Sequence, residues 1–324
     1  MLRIFIILLS TLASLPVAAL SETFLTPKTV ANIEAIEVAK NVYVVHGINQ
    51  NPSPENQGLI ANLGFIVSDL GVVVIESGGS QQHGNLLIKA IEKITSLPVI
   101  AVFNTHLHGD HWLGNNAIRT RFPEAKFYAK KSMVELARSS FGDDWVTLLG
   151  SLTNGATAGT QPFPPSHPLS NDDIVYFDNV TIAIQSNNVA HTATDIIVSV
   201  EQDEGPSVVF LGDVALHLRI GRMDDGNFNG NIEALDRAIA LQADAYVPGH
   251  GPTTLGSSSA QLYRDYLAML YTETEHWYEE GLTDFEIKDK IRSAFKQWEH
   301  WDGFEDAFGR HVSLIYLEIE EASF

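Results

Sequence analysis

Hydrophobic residues along the chain follow two alternating periods. Short apolar runs rich in β-branched residues, Val42 to Val45, Leu59 to Val67 and Val72 to Ile75, are separated by Gly, Pro and Asn and predict a β meander. From Gln81 the apolar positions Leu87, Ile88, Ile91 and Ile94 recur at helical spacing, and Pro98 ends that helix before the short run Val99 to Phe103. Strand and helix then alternate, with a helix from Trp112, a strand at Lys126 to Ala129, a helix from Lys131 and irregular chain up to Pro168. Strands follow at Ile174 to Phe177, Val180 to Ile184, Ile196 to Val200 and Val208 to Leu211. The pattern next predicts a helix from Ile232 to Leu241 with Asn231 as N-cap, and a short last strand, Tyr246 to Pro248. Helices close the chain, one of them opened by the capping box Thr283 to Glu286.

With 324 residues and 45% hydrophobic content the chain can bury a core of one large domain or two small ones. Its start places Arg3 before an apolar run from Ile4 to Leu15, followed by small residues with Val17 and Ala19 at the spacing of a cleavage site. The run is shorter than the roughly 20 apolar residues that cross a bilayer. Residues 1–19 are therefore expected to be a signal peptide, and the mature protein to be periplasmic or secreted with no stable membrane insertion. No cysteine is present, which excludes disulfides and thiolate metal sites and leaves His and carboxylate as the metal ligands available. A net charge of −20 repels the phosphate backbone, so the expected partner is a small-molecule substrate and not a nucleic acid. Two segments rich in Gly, Pro, Asn or Thr, Asn49 to Gly58 and Asn154 to Pro168, read as loops and as candidate walls of an active site. In the second, Phe163 between prolines is the candidate aromatic contact for a bound ligand.

The densest chemistry lies in Thr105-His-Leu-His-Gly-Asp-His111, where His106, His108, Asp110 and His111 follow a β-rich run and precede a helix. Alternation in an extended segment sends His106 and His108 to one side. A turn at Gly109 lets Asp110 and His111 reach a second point roughly 3.5 to 4 Å away, the spacing of a two-metal site. Three imidazoles this close repel one another when protonated, so the cluster reads as a metal or catalytic site.

His-x-His-x-Asp-His after an apolar strand resembles the signature of the metallo-β-lactamase superfamily. The resemblance implies an α/β fold, a four-layer αββα sandwich over residues 20–255; the helical patterns of residues 256–324 are read as a C-terminal helical region packed on it, and in glyoxalase II relatives a region so placed contributes to substrate binding. It also implies three later ligands, which appear in order as His191 in Ala-His-Thr-Ala-Thr-Asp195, Asp213 after Val-Val-Phe-Leu-Gly, and His250 in Val-Pro-Gly-His-Gly-Pro. On this pattern His106, His108 and His191 hold one zinc, Asp110, His111 and His250 a second, and Asp213 bridges both. Iron and manganese suit the same ligands.

The chain departs from many relatives in carrying Glu76 where an Asp braces the histidine loop. His at position 108 separates it from the di-iron flavoprotein branch, and the lack of Cys together with Asp213 separates it from true β-lactamases. The stretches Asn62-Leu-Gly-Phe-Ile-Val, Phe210-Leu-Gly-Asp with Arg219 and Arg222, Asp224-Asp-Gly226 and Val247-Pro-Gly-His-Gly-Pro252 look like the exported hydrolases found beside quinoprotein or sulfur-oxidation systems. The expected function is that of an exported dinuclear zinc hydrolase, in which a metal-bridging hydroxide attacks an ester, lactone, thioester or amide bond and Asp110 moves a proton. The alternatives are a mononuclear iron sulfur dioxygenase using His106, His191 and Asp213, a β-lactamase, and a non-catalytic periplasmic metal-binding protein.

Overall fold

The computed structural model describes residues 24, 26–186 and 188–323; the expected signal peptide lies outside them. The first sheet collects the N-terminal half in chain order. Its strands are β1 (Ala35–Ala39), β2 (Val42–Val45), β3 (Leu63–Val67), β4 (Val72–Ile75), β5 (Val99–Phe103), β6 (Lys126–Lys130) and β7 (His167–Leu169). The first four pair antiparallel, and from β4 onward the pairing is parallel. Parallel neighbours need crossovers. These are supplied by α1 (Gln81–Ile94), by the short helices α2 (Gly109–Trp112) and α3 (Asn115–Arg121), and by α4 (Lys131–Leu136) with α5 (Phe141–Leu152).

The second sheet contains β8 (Ile174–Phe177), β9 (Val180–Ser186), β10 (Ile196–Gln202), β11 (Val208–Leu216), β12 (Ala245–His250) and β13 (Thr254–Leu255), in the order β13-β12-β11-β10-β9-β8. Strands β11 and β12 run parallel, joined through α6 (Phe228–Ala240). Helices α7 (Ser258–Glu279), α8 (Asp284–Ile291) and α9 (Phe304–Ala322) complete the chain.

Period-two alternation explains the layering, because successive side chains of a strand point to opposite faces. Ile196, Val198 and Val200 of β10, with Val208 and Phe210 of β11, point inward and meet Val73, Ile75, Ala101 and Phe103 of the first sheet in one core. Val72 and Val74, on the other face of β4, pack under Leu87, Ile91 and Ile118 of α1 and α3. Ile197, Val209 and Leu211, on the other face of the second sheet, pack under α6 to α9. The result is the four-layer αββα sandwich with C-terminal helices that the sequence implied.

Several strand ends shift by a few residues from the sequence reading, and two differences concern helices. Helix α6 starts a turn earlier, at Phe228, because Asn227 and not Asn231 is its cap: the Asn227 side chain accepts the Gly230 N–H at 2.7 Å. Asn231 is buried inside the helix and donates from Nδ2 to the Val214 carbonyl. The stretch read as irregular before Pro168 contains α5.

Candidate metal centre

The chain leaves β5 and passes between the two sheets, where the Thr105 carbonyl accepts from Ile196 N–H. His106 and His108 lie on this extended run, and His108 is the N-cap residue of α2, so Asp110 and His111 fall in that helix's single turn. His191 comes from the β9–β10 loop, Asp213 from within β11 and His250 from the last position of β12. Parallel pairing of Gly212 with Pro248 and Leu216 with His250 brings the last two to the same end of the sheet. Two glycines make the approach possible. A Cβ on Gly249 would stand 1.9 Å from Asp213 Oδ1, and one on Gly212, at φ +52, would stand 2.4 Å from Thr105 Oγ1.

All seven residues singled out as ligands converge. His106, His108, His191 and Asp213 form one group whose donor atoms lie within 4.8 Å of one another, and Asp110, His111 and His250 form another. Asp213 faces both: its Oδ2 is 3.6 Å from His191 Nε2 and 3.3 Å from His250 Nε2, and its Oδ1 is 3.2 Å from His111 Nε2. Asp110 Oδ2 stands 3.4 Å from His250 Nε2 and 3.6 Å from His111 Nε2, and His191 Nε2 is 3.0 Å from His108 Nδ1. Ligand atoms about 2.1 Å from a tetrahedral ion lie roughly 3.4 Å apart, so this spacing fits metal coordination.

Four of the five rings meet a partner on their far side that selects the nitrogen turned inward, as expected around a metal, while His191 Nδ1 is buried with no hydrogen-bond partner among the described residues. His250 Nδ1 donates to the Ile60 carbonyl at 2.9 Å. His108 Nε2 meets Asp225 Oδ2 at 3.2 Å. His106 Nδ1 meets Thr105 Oγ1 at 3.0 Å, while Thr105 donates its hydroxyl and its N–H to Glu76 Oε1. The same Glu76 oxygen is 3.4 Å from His111 Nδ1. Glu76 thus takes up the bracing position from a longer side chain.

Electrostatics agree. Burial, reinforced by the neighbouring His111, holds His106 well below the ordinary histidine range, and burial holds His191 down to about 3, so both offer lone pairs. At His111 burial works the other way from Asp213 and Asp110, and the two carboxylates win, raising it. Burial would raise both carboxyls, but His111 keeps Asp110 low and His250 keeps Asp213 low. Among the described residues, His106 Nε2, His111 Nε2 and Asp213 Oδ1 are buried atoms with no hydrogen-bond partner, and all three face the centre of the cluster. An unsatisfied buried polar atom costs about 1–3 kcal/mol, a cost that a bound cation removes. The donor set therefore fits two divalent ions without thiolate.

The two loops read as walls behave differently. Residues 49–58 are tied to the site end of β11, where Asn49 Nδ2 donates to His217 O and Arg219 donates to Gln50 O and Asn51 Oδ1. Phe163 of the second loop is not a ligand contact. Its ring packs edge-on against Phe127 at 5.1 Å under the Arg119 guanidinium, in the outer core between α3 and β6. The missed α5 takes its place at the site: Trp145 packs against the His108 ring at 5.2 Å, and Leu149 reaches Gly79 beside Asp110. Trp145 was not identified from the sequence, and Asp225 was noted only within Asp224-Asp-Gly226 with no role, since each is remote in the chain from the histidine it touches. Of the two arginines, Arg219 is buried and Arg222 is exposed and paired with Asp224.

Residues 56–250 match the sequence profile of the family described as "Metallo-beta-lactamase superfamily". The chain is 22% identical over 262 residues to a linear primary-alkylsulfatase of Pseudomonas sp., covering 68% of this chain and 48% of that protein. To a probable metallo-hydrolase of Streptococcus pyogenes serotype M6 it is 26% identical over 197 residues, covering 60% of this chain and 80% of the other. The solved structure of a stereoselective inverting sec-alkylsulfatase from Pseudomonas sp. shares the fold, with a TM-score of 0.66 and 16% identity over 88% of this chain and 50% of that one. The chain spans about half the length of these two alkylsulfatases. Because the profile match runs from the loop before β3 to the final histidine of the cluster, within the fold just described, the chain belongs to the metallo-β-lactamase superfamily.

Proposed function

We propose that this protein is an exported, dinuclear zinc-dependent hydrolase of an ester, lactone, thioester or amide bond. The observation that carries the reading is the convergence of seven His and Asp side chains into two groups that meet at Asp213. His106, His108 and His191 would hold one ion, Asp110, His111 and His250 the other, with Asp213 between them. Bound divalent cations supply Lewis acidity and a water of lowered pKa, which makes hydrolysis possible at neutral pH without a Ser or Cys nucleophile. Asp110 lies buried in the cluster with its Oδ2 3.6 Å from His111 Nε2 and 3.4 Å from His250 Nε2, where its carboxylate would also be placed to pass a proton. Glu76 and Asp225 hold the rings of His111 and His108 in place. The relatives' names support hydrolysis and add sulfate esters to the candidate substrates.

Both ligand groups being complete favours this reading over a mononuclear iron dioxygenase, which needs only three residues. The apolar leader supports export, and no helix among the described residues is long and apolar enough to cross a membrane. We read residues 20–255 as the catalytic domain, with residues 256–324 packed on it. Elemental analysis of protein purified without added metal is expected to give close to two zinc ions per chain, and close to one in His250→Ala. The loaded protein is expected to hydrolyse members of a panel of lactones, thioesters, amides, carboxylic esters and alkyl sulfates. One iron per chain with oxygen uptake, or two zinc ions with no turnover on the panel, would reject the proposal.

A further inference from the structure

Helix α5 carries an apolar line that the fold covers only in part: Phe141 and Trp145 also pack against the core around Trp112 and Met133, and Leu148 and Leu152 stand exposed. Phe141, Trp145, Leu148 and Leu152 recur at i, i+4, i+7 and i+11, which places them within roughly 60° of arc on one side of the helix. Gly142 and Leu149, on the adjoining side, are the positions that the core buries. Leu148 is 45% exposed and Leu152 42%, and Phe141 and Trp145 are half-buried. A lone exposed leucine needs no explanation, but a continuous apolar stripe marks a contact surface.

The stripe meets the candidate metal centre at its second member, Trp145. Trp145 packs on His108, whose side chain is 15% exposed, whereas those of His106, His111, His191, His250, Asp110 and Asp213 are all below 10%. His108 is thus the member of the cluster most open to solvent, and we take its side as the approach to the cluster. That opening has Trp145 on one side and the exposed carboxylate of Asp225 on the other. From Trp145 to Leu152 the stripe extends about 10 Å away from the opening.

We infer that this stripe of α5 is a subsite for the hydrocarbon tail of the substrate, so that the enzyme selects amphiphiles whose polar reacting group enters at His108 and whose apolar chain lies along Trp145, Leu148 and Leu152. The inference rests on the hydrolase reading and narrows its substrate class. Ligand sites commonly pair a few convergent polar groups with an apolar wall, and here the metal-ligand cluster and the stripe supply the two. A second copy of the chain is a poorer occupant, because a net charge of −20 opposes self-association and Asp143 and Asp144 lie on the same helix.

The experiment is calorimetric titration of the zinc-loaded protein with acetate, hexanoate and decanoate, alongside the double variant Leu148→Ser/Leu152→Ser. Both leucines are exposed, so the variant should fold and load zinc as the parent does, which circular dichroism and elemental analysis check. Acetate, too short to reach the stripe, sets the reference for each protein. Affinity is expected to rise with chain length in the parent and the decanoate advantage to fall about tenfold in the variant. An equal chain-length dependence in both proteins, or none in the parent, overturns the inference. So does sedimentation showing that the parent is a dimer and the variant a monomer. Because the readout is binding, a chain-length dependence without turnover on the ester panel would sink the hydrolase proposal alone, and turnover without chain-length dependence would sink the tail subsite alone.

Discussion

Glu76 adopts a φ of +64, a conformation that costs a non-glycine residue about 1 kcal/mol or more, and does so while 4% exposed. The cost is offset by what its carboxylate organises: one oxygen accepts from both donors of Thr105 and faces His111 Nδ1. Glu76→Gln keeps the side-chain length but lacks the charge that holds His111. It is expected to lower zinc affinity 10- to 100-fold, measured by competition with a chromogenic chelator, with little change in circular dichroism. Unchanged affinity would show that the carboxylate is a spectator. The seven residues that converge were legible because four of them crowd into six residues, Asp213 and His250 follow glycines after apolar runs, and His191 falls in order in the family pattern. Their partners were not, because the Asp225 contact to His108 spans 117 residues and leaves no local pattern.

Elements were legible where burial leaves an unbroken apolar run or a clean period in the sequence. The runs at β2, β4 and β5 were read to the residue, since strands buried on both faces stand out as unbroken apolar runs. Helix α5 escaped because its buried line and its exposed stripe together blur the 3.6-residue period. The joint between α7 and α9 depends on a histidine that looked ordinary in the sequence. His311 of α9 is fully buried, with Nδ1 accepting from the Tyr266 hydroxyl of α7 and Nε2 donating to the Gly221 carbonyl. Burial lowers it to about 4, the Gly221 bond and Asp224 opposing and Arg310 assisting. The folded state keeps it neutral while the unfolded chain protonates it below about 6.5. Its contribution is therefore complete above pH 6.5 and is lost as pH falls toward 4, a change of about 3 kcal/mol. His311→Gln, which cannot take up that proton, is expected to be less stable than the parent at pH 7 but to lose less on going to pH 4.5, as read by urea unfolding. The same pH slope in both proteins would refute this account of the joint. His46 and His83, lowered to about 4 by burial, add to the slope in both.

At the scale of the whole molecule the question is whether residues 256–324 are an addition to the sandwich or part of it. Their sequence shows helical periodicity with no readable chemistry, so their role is visible only in packing. Tyr263, Tyr266, Leu270, Ile291, Phe295, Trp298, Phe304 and Phe308 are buried in the same core as Val209, Leu211 and Tyr246 of the second sheet. The connection reaches the site: Asp302 exchanges backbone hydrogen bonds with Leu218 and Ile220, beside the Arg219 that holds the loop of residues 49–58. Burying one large apolar side chain contributes about 1.5–3 kcal/mol. Eight of them outweigh the net stability of about 5–15 kcal/mol typical of a folded domain. A chain ending at residue 255 is therefore expected to lose cooperative folding altogether, aggregating or binding a hydrophobic dye, and not merely to lose substrate preference. Solubility on expression and a thermal melt by circular dichroism check this. A soluble truncated protein with a single sharp transition and two bound zinc ions would show instead that the sandwich is complete without its C-terminal helices.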